Sequence, residues 1–397
     1  MSPFDVILIA LAALASIPIA VIAVETFVAI WPRRPRAIDS AAPRPSCAIL
    51  IPAHNEEAGI AATLAALLPQ LRDGDRPIVV ADNCSDGTAA AARTAGAEAI
   101  ERSDADRRGK GYALAFGLNH LKADPPPIVV LIDADTIAKP GALDRLVRAA
   151  AARNGPIQGV FVDAPHGQLG PREQWSAFAL TFKNFVRPLG LYRLGLSCQL
   201  TGSGMAFPWS VFHKVELGTG NIVEDMKLGI DLALVGHPAR FCPDARFESD
   251  DAPSLVAATQ RRTRWEHGHV STLLTQTPRL VLAGLFQLKP RLIALALELA
   301  VPPLSLLFMG QAILLTICLV WWQFGDGSAV PALILLSSAT LAAMTILTAW
   351  AIFGRRLLSP KILCLLPVYI LWKLPIYLKL VIAPQRQWVR TERKPVP

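Results

Sequence analysis

The 397 residues suffice for one domain of roughly 200 to 250 residues beside a membrane-embedded remainder. Apolar residues make up 52% of the chain and charged residues 18%, yet the charges crowd between positions 33 and 291 and leave both ends nearly bare, so one chain is built for two solvents. The six cysteines form no C-x-x-C pair, which excludes a zinc ribbon or a disulfide framework, and the net charge of +8 comes without an aromatic-interleaved basic module, which argues against nucleic acid as a partner.

In chain order, residues 4 to 31 form an apolar run interrupted only by Asp5 and Glu25, longer than the ~20 residues that cross a hydrocarbon core. A signal peptide would carry a basic n-region and a shorter apolar stretch, so residues 1 to 32 read as a transmembrane helix. Arg33, Arg34 and Arg36 follow at once, and the positive-inside rule puts what comes after them in the cytosol.

From 46 to 275 short apolar runs alternate with helical patterns. Runs at 47–52, 77–81, 97–101 and 128–133 predict strands buried on both faces, and hence an α/β fold with a mostly parallel sheet between helices. Ligands of such sheets bind outside the carboxyl ends of the strands. The first strand ends in Pro52-Ala53-His54-Asn55-Glu56-Glu57 and the second in Asp82-Asn83-Cys84-Ser85-Asp86-Gly87. Taken singly, Asn55 or Ser85 is a helix cap and Asp86-Gly87 a turn. Arg107-Arg108-Gly109-Lys110-Gly111 then precedes a helical pattern, and its glycines, cations and helix N-terminus make an anion cradle, although the P-loop pattern is absent. The fourth strand ends in Asp133-Ala134-Asp135. Two carboxylates this close raise each other's pKa unless a cation sits between them, and a hard divalent ion such as Mg2+ or Mn2+, completed by diphosphate oxygens, suits so sparse a set.

Past the triplet, Thr201-Gly202-Ser203-Gly204-Met205 is a small-residue loop that lets backbone approach a ligand. Glu224-Asp225 opens a helical run, and Arg261-Arg262-Thr263-Arg264-Trp265 follows. Displacing a nucleoside diphosphate from a sugar needs cations on the leaving group and a base for the attacking hydroxyl. Asp225 or Glu224 supplies the base, Arg264 a fork for the diphosphate and Trp265 an apolar face for an acceptor sugar. The duller alternatives are a helix N-terminus with favourable charge and a juxtamembrane arginine patch.

Residues 276–397 read as a membrane region. Apolar runs at 292–322 and 331–353, separated by a turn whose one charge is Asp326, predict a transmembrane hairpin over 292–353 that leaves Arg355 and Arg356 inside. The stretch 279–288 is expected on the membrane surface. Lys373, Pro375 and Lys379 interrupt 361–383, which reads as an interfacial or re-entrant segment that keeps Arg386, Arg390, Arg393 and Lys394 of the tail in the cytosol.

The ordered set Asn55-Glu56, Asp82, Lys110, Asp133-Ala134-Asp135, Thr201-Gly202-Ser203, Glu224-Asp225 and Arg264-Trp265 resembles the membrane-bound family 2 glycosyltransferases over residues 46 to 275. Cellulose, hyaluronan and poly-N-acetylglucosamine synthases and ceramide glucosyltransferase are among them. The resemblance implies a GT-A fold, inversion at the anomeric carbon and UDP as the default nucleotide. It further implies Glu56 and Asp82 at the nucleoside, Lys110 and Asp133 at the nucleotide, Asp135 on the metal and Asp225 as base, with Arg264 and Trp265 closing over diphosphate and acceptor. Thr201, Gly202 and Ser203 face the acceptor in this reading. Arg261 stands where the polymerising synthases carry the Gln of Q-x-x-R-W, with Gln260 one step earlier, and looks more like the lipid-glycosylating branch. Three crossings are also few for a secretion pore. The expectation is therefore transfer of a single sugar to a lipid-linked acceptor at the cytosolic face of a bacterial inner membrane, the source being read from the abundant Ala, Arg and Pro. A processive polysaccharide synthase is the alternative, with a homo-oligomer to assemble its pore.

Overall fold

Side chains of neighbouring residues in the first strands point to opposite faces, and both faces are apolar. Ile49, Ile51, Val79 and Val130 pack on one side against Ile60, Leu64, Leu143 and Leu146. Leu50, Ile78, Val80 and Leu131 pack on the other against Leu114, Leu118, Leu228 and Leu232. This double burial makes the strands continuous apolar runs in sequence. The computed structural model describes residues 2–32, 43–163, 169–215, 217–218, 223–249, 255–325 and 327–382.

The chain opens with α1 (Pro3–Ile30) and enters the sheet through β1 (Cys47–Ala53), α2 (Ile60–Leu67), β2 (Arg76–Asp82), α3 (Thr88–Thr94), β3 (Glu98–Arg102), α4 (Lys110–Leu121) and β4 (Ile128–Leu131). It continues with β5 (Thr136–Ala138), α5 (Ala142–Arg153), β6 (Ile157–Asp163), α6 (Pro171–Thr181), α7 (Arg187–Leu194), β7 (Met205–Pro208), α8 (Glu224–Leu234) and β8 (Arg240–Ser249). A π-helical turn, Phe182–Val186, joins α6 to α7. The eight strands lie in the order β3-β2-β1-β4-β7-β6-β8-β5. The first four pair in parallel as expected, whereas β7 runs antiparallel between β4 and β6 and makes the sheet mixed. Strand order reverses between β1 and β4, the place where an open α/β sheet gathers its ligands.

Beyond the sheet come α9 (Leu255–Phe286), α10 (Pro290–Leu299), α11 (Leu304–Phe324), α12 (Val330–Ala349), α13 (Pro360–Leu363), α14 (Leu366–Trp372) and α15 (Leu374–Ile382). Among the described residues three helices are long and apolar enough to cross a membrane: Pro3–Ile30, Leu304–Phe324 and Val330–Gly354. The run expected to begin its crossing at 292 is divided, because Pro302 and Pro303 cannot continue α10 and α11 starts only after them. α9 passes unbroken through residues 275 and 279–286, so the stretch expected on the membrane surface extends the helix that carries Arg264 and Trp265. Between 360 and 382 each short helix has a proline in its first turn, and none is long enough to cross. Arg33, Arg34, Arg36, Asp326, Arg386, Arg390, Arg393 and Lys394 lie outside the described residues.

The apolar helices and the sheet share one core, in which Ile19 and Ile22 of α1 meet Val160 and Val162 of β6, Phe178, Phe182 and Ile346. Charges that interrupt the apolar segments serve as docking points. Asp5 accepts hydrogen bonds from Trp321 Nε1 and Ser328 N at 3.0 and 2.9 Å. Arg187 of α7 pairs with Glu25 at 2.5 Å, both buried, and donates to the Glu298 carbonyl at 3.1 Å. α7 lies so close to α1 that a Cβ on Gly190 would fall 2.0 Å from the Glu25 carbonyl oxygen. Lys373 likewise pairs with Glu266 of α9 in a buried contact.

Removing one member of a buried ion pair strands the other, at a cost of ~3–5 kcal/mol. Arg187→Met and Glu25→Leu, each alone, are expected to lower the melting temperature in detergent by several degrees, and together by clearly less than the sum. Strict additivity in that double-mutant cycle would contradict the pairing.

Candidate active site

Three strand ends frame a cleft of about 460 Å³ at the reversal of strand order, lined by Glu56, Asp82, Arg108, Lys110, Asp133, Asp135 and Arg264. Its two outer loops are clasped together: Asn55 Nδ2 donates to Ser85 Oγ at 3.0 Å and Ser85 N donates to Asn55 Oδ1 at 2.7 Å. Asn55 takes a left-handed backbone (φ 54°) to do this, so these residues join loops and do not cap helices. Asp82 is buried and ion-paired with Arg102 at 2.5 Å.

The Asp133-Ala134-Asp135 loop is fixed from behind. Asp133 N donates to Ser203 Oγ at 2.9 Å, Ser203 Oγ donates to Thr136 Oγ1 at 2.9 Å, and Thr63 Oγ1 donates to the Ala134 carbonyl at 2.7 Å. Ser203 is fully buried by this work, which corrects its expected place in contact with the acceptor; Thr201 and Gly202 line the neighbouring cavity without it. No pattern in the sequence tells which hydroxyl of a small-residue loop turns inward.

Lys110, the first residue of α4, follows Gly109 at φ +122°. Its Nζ lies 2.5 Å from Asp133 Oδ1 and 3.7 Å from Glu224 Oε1, and it donates to the Gly202 carbonyl at 2.5 Å. Burial disfavours its charge, but Asp133, Glu224 and Asp225 outweigh burial and hold its pKa above the ordinary lysine range. Burial, together with the charge of Asp135, pushes the Asp133 carboxyl up against the opposing pull of Lys110. Glu224 is pushed up to about 7 by burial, with Lys110 opposing and Asp225 adding to the rise. Gly202 stands amid these groups: a Cβ there would lie 3.3 Å from Asp225 Oδ2, 3.6 Å from Lys110 Nζ and 4.0 Å from Asp133 Oδ2, and its φ of +93° itself favours glycine. The Arg264 guanidinium is drawn down by burial and supported by Glu224 and Asp133, and its Nε has no hydrogen-bond partner among the described residues.

A second cavity continues from the cleft. It shares Lys110, Asp133, Asp135 and Arg264 with it and adds Thr201, Gly202, Glu224, Asp225 and Trp265. A third, more apolar cavity adjoins the second through Leu180, Lys183, Arg261 and Trp265. The Arg261 guanidinium lies 5.0 Å from the Trp265 ring centre. Of the expected site residues, Ser203 alone is withdrawn from these cavities. Arg107, from the expected anion cradle, instead pairs with Asp104 at 3.0 Å on the surface. Sequence reasoning missed Lys183, whose signal was a single cation inside an apolar helical pattern, LTFKNFV.

A mixed sheet with acid-rich strand ends at its switch point is the architecture of the GT-A glycosyltransferases. The chain aligns with the mannosyltransferase PcManGT from Pyrobaculum calidifontis, solved in complex with GDP-Man and Mn2+, at 21% identity and a TM-score of 0.56, over 87% of this chain and 97% of that one. Glucosyl-3-phosphoglycerate synthase from Mycobacterium tuberculosis, in complex with Mn2+, UDP and glucosyl-3-phosphoglycerate, aligns at 20% identity and a TM-score of 0.41, over 62% of this chain and 86% of that one. No curated protein matches the sequence significantly. Residues 43–268, more than half of the chain, match the model of the glycosyltransferase-like family 2, and the chain belongs to that family.

The raised Glu224 gives a stability prediction. The folded protein holds this proton up to about pH 7 while the unfolded chain releases it near the ordinary value of 4.5. The contribution to stability is thus present at low pH and lost as pH rises through about 7. Melting curves without donor or metal are expected to show wild type losing stability relative to Glu224→Gln across that window; parallel curves would contradict the shift.

Proposed function

We propose that the enzyme transfers a single sugar, with inversion, from a nucleotide-diphosphate sugar to a lipid-linked acceptor at the cytosolic membrane face. The observation that carries the reading is the meeting of Asp225, Lys110 and Asp133 around Gly202, where the cleft passes into the second cavity. Glu56 and Asp82 line the nucleoside end, and Lys110, Asp133 and Arg264 face the diphosphate. The unpartnered Nε of Arg264 is a donor available to an oxyanion. Thr201, Gly202 and Trp265 receive the acceptor.

In the reaction the acceptor hydroxyl loses its proton to Asp225 as its oxygen bonds to the anomeric carbon, and the bond from that carbon to the diphosphate oxygen breaks. A single displacement of this kind inverts the centre and needs one base and no protein nucleophile. Glu224 sits beside Lys110 and tunes the local charge. Mg2+ or Mn2+ fits the residues present. Among the described residues no group of three or more His, Cys, Asp or Glu forms a metal cage, while burial and the neighbouring charge of Asp135 push the Asp133 carboxyl up, as happens where a cation belongs beside a carboxylate. Asp135 would hold the ion, which when bound neutralises charge on the departing diphosphate. PcManGT's GDP-Man and Mn2+ are a ligand pair of the same class. Three long apolar helices support an integral membrane protein, with residues 1–32 and 276–397 as its membrane parts, in a bacterial inner membrane and with UDP as the default nucleotide.

Nucleoside diphosphate release, screened across donors with membrane lipid extracts as acceptors, tests the reading. Asp225→Asn is expected to reduce transfer by about 10²–10⁴-fold while donor affinity stays within about twofold; near-normal turnover would remove the base assignment. Asp135→Ala is expected to abolish the Mg2+ dependence of donor binding in titration calorimetry, and unchanged metal dependence would reassign the metal position.

A further inference from the structure

The third cavity is shaped by two kinds of wall. Trp175, Phe178, Phe182, Phe308, Ile346 and Leu366 line it, so its body is apolar and is built from α6, its π-helical turn and the helices α11, α12 and α14. Five cations also line it, Lys183, Arg187, Arg261, Arg262 and Lys373, with the carboxylates Asp163 and Glu266. Three of these cations have acid partners. Arg187 is paired with Glu25 and Lys373 with Glu266, and Arg261 lies 3.7 Å from Asp163. Arg262 donates to the Ser176 hydroxyl, a neutral partner, and Lys183 has no ion pair or hydrogen bond among the described residues. Among the described residues two positive charges are therefore left without an anion in a largely apolar chamber, although Arg262 also lies 5.5 Å from the Trp372 ring centre, and such an arrangement costs free energy unless a ligand completes it.

Lys183 stands where this chamber opens toward Asp225, since it lines both the apolar cavity and the second one. It sits in the π-helical turn Phe182–Val186. Such turns shift a side chain off the ordinary helical register and recur at functional sites. Burial lowers its pKa, with the Asp225 charge opposing.

We propose that the acceptor is an amphiphile with a phosphate between its apolar tail and its accepting hydroxyl, bound with the tail along the apolar cavity and the phosphate at Lys183 and Arg262. The hydroxyl then reaches Asp225, and the inference rests on the reading of Asp225 as base toward a hydroxyl. Neutral amphiphiles would fill the apolar walls and leave both cations unanswered. A phosphate carried further out, beyond the hydroxyl, would meet the four-carboxylate centre around Gly202 instead. The chemistry is shared by glycerophospholipids with a free hydroxyl and by polyprenyl-diphosphate-linked sugars.

Two measurements on the full-length protein in detergent test this. The first is lipid retention by native mass spectrometry with phosphatidylglycerol, a polyprenyl-diphosphate-linked sugar and diacylglycerol. Wild type is expected to retain one of the phosphate-bearing lipids over diacylglycerol by about tenfold, Lys183→Met to lose that preference, and Lys183→Arg to recover most of it. Arg356→Gln, which removes an exposed juxtamembrane charge, is expected to keep it. The lipid retained separates the two sources. Equal retention of charged and neutral lipids by wild type, or an unchanged preference in Lys183→Met, would overturn the proposal, and neither result depends on turnover. The second measurement is transfer with the retained lipid, where Lys183→Met is expected to raise the acceptor KM about tenfold with donor affinity unchanged. An unaltered acceptor KM would likewise overturn it. Loss of sugar transfer altogether, with lipid preference intact, would count against the Asp225 reading and leave the lipid site standing.

Discussion

The Lys110 ammonium holds the two halves of the site together. Asp133 and Asp135 arrive from the end of β4, Glu224 and Asp225 from the start of α8, and four carboxylates at such range repel one another unless cations stand among them. Lys110 touches Asp133, the Gly202 carbonyl and the edge of Glu224, and Arg264 supplies a second charge from α9. Two glycines with positive φ make the approach feasible. Gly109 lets the chain enter α4 with its lysine turned into the cleft, and Gly202 removes the Cβ that would otherwise crowd Asp225 and Lys110. A cation and a diphosphate bound as proposed would add opposite charges to the same cluster, and one electrostatic centre would then serve both sides of the reaction.

The position of this centre relative to the apolar helices follows from a second set of charges. Glu25 and Lys373 look like blemishes in otherwise apolar segments, yet each is buried against a partner on an element of the catalytic half, Arg187 on α7 and Glu266 on α9. Unpaired, these charges would be costly in lipid or in a protein core; paired, they specify which face of α1 and of the 360–382 segment must dock. Gly190 lets α7 reach the α1 backbone, and the aromatic residues around Phe178 and Phe182 then extend the sheet's core into the helices. Sheet and apolar helices therefore form one packed body, in which the apolar cavity adjoins the one lined by Asp225.

Strands were legible for a specific reason. Residues 49, 51, 79 and 130 face one helical layer and 50, 78, 80 and 131 the other, so nothing polar is tolerated until the strand ends, and polarity resumes at the cleft. The later half was less legible because β7 enters antiparallel between distant strands, and a pairing between β4 and β7 leaves no local trace. Hydropathy averaged across Pro302 and Pro303 and so overran the true start of α11, although the prolines themselves were in view. Ser203 was misplaced and Lys183 overlooked: the hydroxyl expected at the ligand is spent on Asp133 N, and the lysine inside an apolar helical pattern lines two cavities.

What the sequence by itself determined is the set of elements and the chemistry at their ends, because apolar periodicity and strand-end acids are local and survive without knowledge of the fold. Tertiary structure alone decided which charges are partners and which are left over. Glu25 with Arg187, Glu266 with Lys373, and Lys110 with Asp133 are separated by 162, 107 and 23 positions along the chain. Whether a charge is neutralised depends on distance in space, and spacing along the chain carries no record of it. That Lys183 has no ion pair among the described residues is likewise a fact of the fold and leaves no mark in the sequence.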